Sequence, residues 1–146
     1  MFKNKKILLI EDNPDDIELT LRAFKKNNIM NEIVVKSDGV QALDYFFGKE
    51  GIAEKKKDQF PILILLDLKL PRIDGIEVLK KLRKDERTKL IPIVILTSSK
   101  ETADLLSCYK QGCNSYIRKP VDFILLADMV RQLGFSWLIM NEAPPL

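Results

Sequence analysis

The chain has 146 residues, with 24 basic and 21 acidic side chains, a net charge of +3 and 46% hydrophobic residues. That balance fits one globular domain with its own core and is too weakly basic to argue for nucleic acid. There is no histidine, which excludes Ser-His-Asp and Cys-His catalysis, histidine metal ligands and a phosphohistidine intermediate.

Short apolar runs alternate along the chain with amphipathic stretches. Ile7 to Ile10 is the first run, and Asn13-Pro14 caps and opens a helix through Lys26 with Ile17, Leu21 and Phe24 at helical spacing. Ile33 to Val35 is the second and weakest run, followed by a helix from Asp38 to about Phe47. The segment 48–60 breaks the rhythm and reads as an exposed loop whose Lys55-Lys56-Lys57 run is solvated. Ile62 to Leu66 is the third run, and Asp74 caps a helix through Lys84. Ile93 to Leu96 is the fourth, with a helix from about Lys100 to Gln111 that stops at Gly112. Ser115 to Ile117 is the fifth, and a last helix runs from Asp122 to at least Leu133. Continuous β-branched and leucine runs suit strands covered on both faces. Five strand-helix repeats predict a doubly wound α/β domain.

Cys108 and Cys113 form neither a CxxC pair nor a zinc set and read as reduced thiols. No unbroken apolar run exceeds five residues, against ~20 needed to cross a bilayer. A cytoplasmic protein, neither exported nor membrane-bound, is expected.

Sites of open α/β sheets lie outside the carboxyl ends of the strands. Glu11-Asp12 follow the first run, Asp67 the third, Thr97-Ser98-Ser99 the fourth, and Arg118-Lys119-Pro120 the fifth. If the first and third strands are neighbours, Glu11, Asp12 and Asp67 share one crevice. Clustered carboxylates call for a cation, and Mg²⁺ prefers carboxylate oxygens and water. Asp74 and Asp122 are expected to be helix caps only. An ionised Asp67 beside Mg²⁺, Lys119 and Thr97 suits phosphoryl transfer to the carboxylate.

Four stretches, in order and at strand ends, carry a resemblance: Ile7 to Pro14, Leu65 to Pro71 with Asp74-Gly75, Ile95 to Ser98, and Tyr116 to Pro120. With them the chain resembles the receiver domain of two-component response regulators over essentially its whole length. The segment 48–60 and the tail Gly134-Phe135-Ser136-Trp137-Leu138 bring it closer to the phytochrome-associated single-domain regulators.

The resemblance implies a flavodoxin-like (βα)5 fold with strand order 2-1-3-4-5. It makes Asp67 the phosphoacceptor and Asp12 the direct Mg²⁺ ligand, with Glu11 holding metal-bound water. The Lys69 backbone carbonyl is then a further ligand. Thr97 is the switch hydroxyl, Tyr116 the aromatic that turns with it, and Lys119 the phosphate-contacting lysine before a cis proline. The implied partner is a sensor histidine kinase, of phytochrome type in the closer family, and signalling is by protein contact. The chain then catalyses only its own phosphorylation and dephosphorylation.

Residues 1–146 are expected to form one receiver domain, with a core over about 5–134 and an extension over 135–146. Phe135, Trp137 and the fifth helix are expected to make a homodimer interface, the alternative being packing on the domain's own core. The competing functions are a flavodoxin, opposed by the acidic Glu11 to Asp16 segment where a flavin phosphate would need a cradle, and a pseudo-receiver that only binds partners. The Lys69 side chain has two expected destinations, open solvent or the acidic crevice. No helix-turn-helix follows Leu133, so DNA binding is not expected.

Overall fold

A computed structural model describes residues 5–49, 51, 52 and 59–142, and for 134–142 the backbone alone. Among the described residues five strands and five helices alternate: β1 (Lys6–Ile10), α1 (Pro14–Lys26), β2 (Glu32–Lys36), α2 (Gly39–Phe47), β3 (Leu63–Leu66), α3 (Gly75–Lys84), β4 (Ile93–Thr97), α4 (Thr102–Lys110), β5 (Ser115–Arg118) and α5 (Phe123–Glu142). The strands form one sheet in the order β2-β1-β3-β4-β5, and every pairing is parallel. The fold is the flavodoxin-like one, and β1 and β3 are neighbours as the shared crevice requires.

Burial follows position in the sheet. Every residue of β3 and β4 is buried, as is β1 after Lys6, whereas β2 and β5 at the edges are mostly half-buried. This explains the weak second run, since an edge strand has less apolar surface to cover. The core packs these strands against Phe24 of α1, Phe46 of α2, Leu79 and Leu82 of α3, and Leu126 and Val130 of α5.

Helix ends follow local chemistry. The Asn13 carboxamide oxygen accepts from the Asp15 and Asp16 amides, with Pro14 at the first helical position. Asp38 accepts from the Gln41 amide, Asp74 from Gly75, and Asp122 from Ile124 and Leu125. Gly112 takes φ +97 and ends α4 as expected. The start of α4 differs from the expectation: the helix begins at Thr102, with no side-chain cap from Glu101. The preceding residues are held instead by Ser99, whose hydroxyl donates to Asp104 at 2.5 Å and accepts from the Glu101 amide at 3.3 Å.

The helix after Asp122 runs on to Glu142. The side chains of Phe135 and Trp137 lie outside the described residues, and so does the Lys55-Lys56-Lys57 run. Both cysteines are free and buried, and burial pushes the Cys108 thiol up to about 12. Such a thiol is inert near neutrality.

Arg83 ties α3 to two distant turns. Its guanidinium donates to the carbonyls of Gly112 at 2.8 Å, Lys89 at 3.0 Å and Ile91 at 2.8 Å, and to Asn114 Oδ1 at 2.9 Å. Asn114 Oδ1 also accepts from the Ile93 amide that opens β4. Arg83→Met keeps the apolar stem and strands these acceptors, so it should cost about 2–3 kcal/mol. A urea midpoint unchanged from wild type would show that water replaces the guanidinium at no cost.

Candidate metal and phosphoacceptor site

The carboxyl ends of β1, β3, β4 and β5 converge on one crevice. Glu11 follows β1 directly, and its amide donates to the Lys36 carbonyl at 3.0 Å. Asp67 follows β3, and its amide donates to the Ile10 carbonyl at 3.0 Å. These two sheet-type bonds extend the strands by one residue and place the two carboxylates side by side. Oxygen atoms of Glu11, Asp12 and Asp67 all lie within 4.8 Å of one another. Glu11 and Asp67 are buried, while Asp12 is exposed. Three hard oxygen donors, one of them open to solvent, fit a divalent cation that keeps part of its water shell.

The β3-α3 turn is fixed by close backbone approach. The Gly75 amide donates to the Leu68 carbonyl at 2.9 Å. A Cβ on Gly75 would lie 2.2 Å from the Asp67 carbonyl oxygen and 2.6 Å from Leu68 Cα. Only glycine lets the start of α3 sit so tightly against the end of β3. Farther along the turn, Arg72 has φ +71 and pairs with Asp38 at 3.6 Å.

Lys119 enters from β5, and its bond to Pro120 is cis, as expected. Its ammonium donates to Glu11 Oε1 at 2.6 Å, to Asp16 Oδ2 at 2.8 Å and to Asp67 Oδ2 at 3.5 Å. Burial alone would lower its pKa, but the hydrogen bonds to Asp16 and Glu11 and the charge of Asp67 outweigh burial and raise it. Glu11 is pushed up to about 7, first by burial and further by the neighbouring Asp67 charge, against the opposing pull of Lys119.

The sign of that shift gives a pH dependence. A divalent cation favours ionised Glu11, so binding below about pH 7 must displace a proton. Mn²⁺ affinity should therefore climb from pH 5.5 to 7 and level off above it. Calorimetric titration across that range tests this, and a flat profile would place the titration elsewhere.

Thr97 is fully buried at the end of β4, and its hydroxyl oxygen accepts from the Ser99 amide at 3.2 Å. Tyr116 is half-buried, and its hydroxyl is buried without a hydrogen-bond partner among the described residues. Burial raises its pKa, with the nearby Ser99 hydroxyl opposing only in part. The Lys69 side chain leans toward α4, with its ammonium 3.8 Å from Asp104 Oδ2 and 62% of its side chain exposed. Among the described residues its ion pair is with Asp104 and not with a carboxylate of the Glu11, Asp12 and Asp67 trio.

The structure thus gathers Glu11, Asp12, Asp67 and Lys119 as expected and leaves Thr97 and Tyr116 on adjacent strands. It adds Asp16 and Asp104, which the sequence reading missed. Asp16 lies in the first turn of α1, where any acid is favoured by the helix dipole, so its type and place carry no sign of a distant lysine. The local signal for Asp104 was its spacing of five residues from Ser99.

Comparison with known proteins agrees with this geometry. The family model of the response regulator receiver domain matches residues 7–131. The probable methanogenesis regulatory protein FilR2 of Methanothrix harundinacea is 39% identical over 94% of this chain and 86% of its own length. Among solved structures, the bacteriophytochrome response regulator RtBRR is 44% identical with a TM-score of 0.77, over 97% of this chain and 85% of that one. The phosphorylated cyanobacterial phytochrome response regulator RcpA is 35% identical with a TM-score of 0.76, over 97% and 99%. The Mn²⁺-bound form of response regulator Rcp1 is 30% identical with a TM-score of 0.69, over 97% and 98%. This chain belongs to the response regulator receiver domain family of two-component signalling, and it is similar to the phytochrome-associated regulators within it.

Proposed function

We propose that the protein is a phosphoaspartate switch that takes a phosphoryl group from a sensor histidine kinase onto Asp67 and signals by protein contact. The observation that carries this reading is the convergence of Lys119 on Glu11, Asp16 and Asp67, beside a carboxylate trio with room for a divalent cation. An Asp67 oxygen bonds to phosphorus as the bond from phosphorus to the kinase imidazole nitrogen breaks, and the imidazole takes up a proton. Asp12, Glu11, Asp67 and the Lys69 carbonyl would hold Mg²⁺, which supplies neutralisation of charge on the phosphoryl oxygens. Lys119 adds a second neutralising contact, and its raised pKa keeps it charged at every physiological pH.

The burial of Thr97 at the strand end suits a hydroxyl that closes on the phosphoryl group. Its motion reaches Ser99 and then Asp104 of α4 through the two hydrogen bonds already described. Tyr116 lies on the neighbouring strand, opposite Ile95, where it can respond. Such a two-state element is what phosphorylation must bias. In this reading the whole chain acts as one receiver unit, and the chemistry it promotes is its own phosphorylation and dephosphorylation. Kinship with phytochrome-associated regulators supports a photoreceptor kinase as donor.

The test is incubation of the wild-type chain with a small acyl phosphate. One phosphoryl group should appear on intact mass, only with Mg²⁺ or Mn²⁺ present, and peptide mapping should place it on Asp67. Modification elsewhere, or none with the metal present, would leave the pseudo-receiver reading.

A further inference from the structure

Lys119 has three N–H donors and three carboxylate partners, so its position is set by competition among them. Two of those partners belong to the trio suited to a cation, Glu11 and Asp67. The third, Asp16, stands outside that trio, in the first turn of α1. The distances are unequal: Glu11 Oε1 lies at 2.6 Å and Asp16 Oδ2 at 2.8 Å from the ammonium, while Asp67 Oδ2 lies at 3.5 Å. A cavity of about 370 Å³ lined by Glu11, Asp16, Thr20, Lys119, Pro120 and Phe123 among others adjoins the lysine.

We infer that Asp16 is a positioning residue that tethers Lys119 on the α1 side of the crevice, so that the lysine does not neutralise Asp67 and the acceptor carboxylate stays available to a divalent cation. An ammonium and a divalent ion compete for the same carboxylate charge. When the cation occupies the trio, Asp16 remains as the anion that holds Lys119 beside the phosphoryl position. Without Asp16 the ammonium keeps Glu11, closes on Asp67 and opposes metal entry. The inference rests on the metal-dependent reading above and adds to it the residue that keeps the lysine off the acceptor carboxylate.

A double-mutant cycle tests it through Mn²⁺ titration of the metal-free protein by calorimetry at constant pH. Asp16→Asn keeps the side-chain shape and removes the charge, and it should weaken Mn²⁺ binding roughly threefold to tenfold. In a Lys119→Ala background the same change should shift binding by less than about twofold, the residue of a screened through-space field. Lys119→Gln serves the same cycle if Lys119→Ala does not fold. Asp15→Asn removes an equal charge from the same exposed helix turn and should leave Mn²⁺ affinity as in wild type. Equal losses from Asp16→Asn with and without the lysine would overturn the tether, because the carboxylate would then act directly on the cation. Unchanged Mn²⁺ affinity in the single Asp16→Asn variant, beside normal wild-type binding, would overturn the tether alone. A wild-type chain that takes up no Mn²⁺ would overturn both the tether and the metal reading.

Discussion

Asp67→Asn should abolish phosphoryl uptake and, without metal at pH 8, make the fold more stable. The loss of uptake follows because a carboxamide oxygen is a poor nucleophile and its acyl phosphate analogue does not form. The gain follows from electrostatics. Asp67 is buried beside Glu11, and its charge is one cause that lifts the Glu11 pKa to about 7. A carboxyl raised above its ordinary value binds a proton more readily in the folded chain. Stability therefore falls as pH rises from the ordinary carboxylate value of 4.5 to about 7, and the strain persists above that. Removing the Asp67 charge relieves part of it, so the gain should be present at pH 8 and vanish by pH 4.

Saturating Mg²⁺ should reverse the order, because a ligand that binds only the folded state stabilises wild type in proportion to its affinity. Melting curves of both proteins with chelator and with Mg²⁺, at pH 4 and pH 8, read all of this together. An Asp67→Asn chain that is less stable than wild type in chelator at pH 8 would mean that Lys119 pairing outweighs carboxylate repulsion.

Gly75→Ala is expected to be the most damaging single methyl group in the crevice. The added carbon would meet the Asp67 carbonyl at 2.2 Å and Leu68 Cα at 2.6 Å, and both are backbone atoms. Neither can step aside cheaply. The Asp67 amide is bonded to Ile10 across the sheet, and the Leu68 carbonyl receives the Gly75 amide itself. The start of α3 must move away, at a cost of about 3 kcal/mol, the upper part of the range for overpacked sites. The same shift carries the Lys69 carbonyl with it, so phosphoryl uptake should slow even where the protein is still folded. Urea unfolding together with the rate of acyl phosphate uptake measures both effects. A midpoint equal to wild type would show that the turn yields freely.

Local pattern alone placed most of the fold. The four-residue and five-residue apolar runs could be strands buried on two faces, and the caps at Asn13, Asp38, Asp74 and Asp122 act through bonds to amides within three residues. Because ligands of such sheets gather at strand ends, Glu11, Asp12, Asp67 and Lys119 were legible as one crevice once β1 and β3 were neighbours. The resemblance supplied that neighbour relation and the roles assigned to these residues.

Tertiary structure decided what the long side chains do. Lys119 meets Asp16 across 103 positions of sequence, and Arg83 meets Asn114 across 31. No periodicity encodes such pairs, since they depend on how α1 and α3 lie over the sheet and on which rotamer a four-carbon or guanidinium side chain adopts. Lys69 shows the same limit, with solvent and crevice equally open to it until the position of α4 brought Asp104 within 3.8 Å. Charge type and strand order could be read one residue at a time, whereas the choice among competing partners for one cation is a property of the packed molecule.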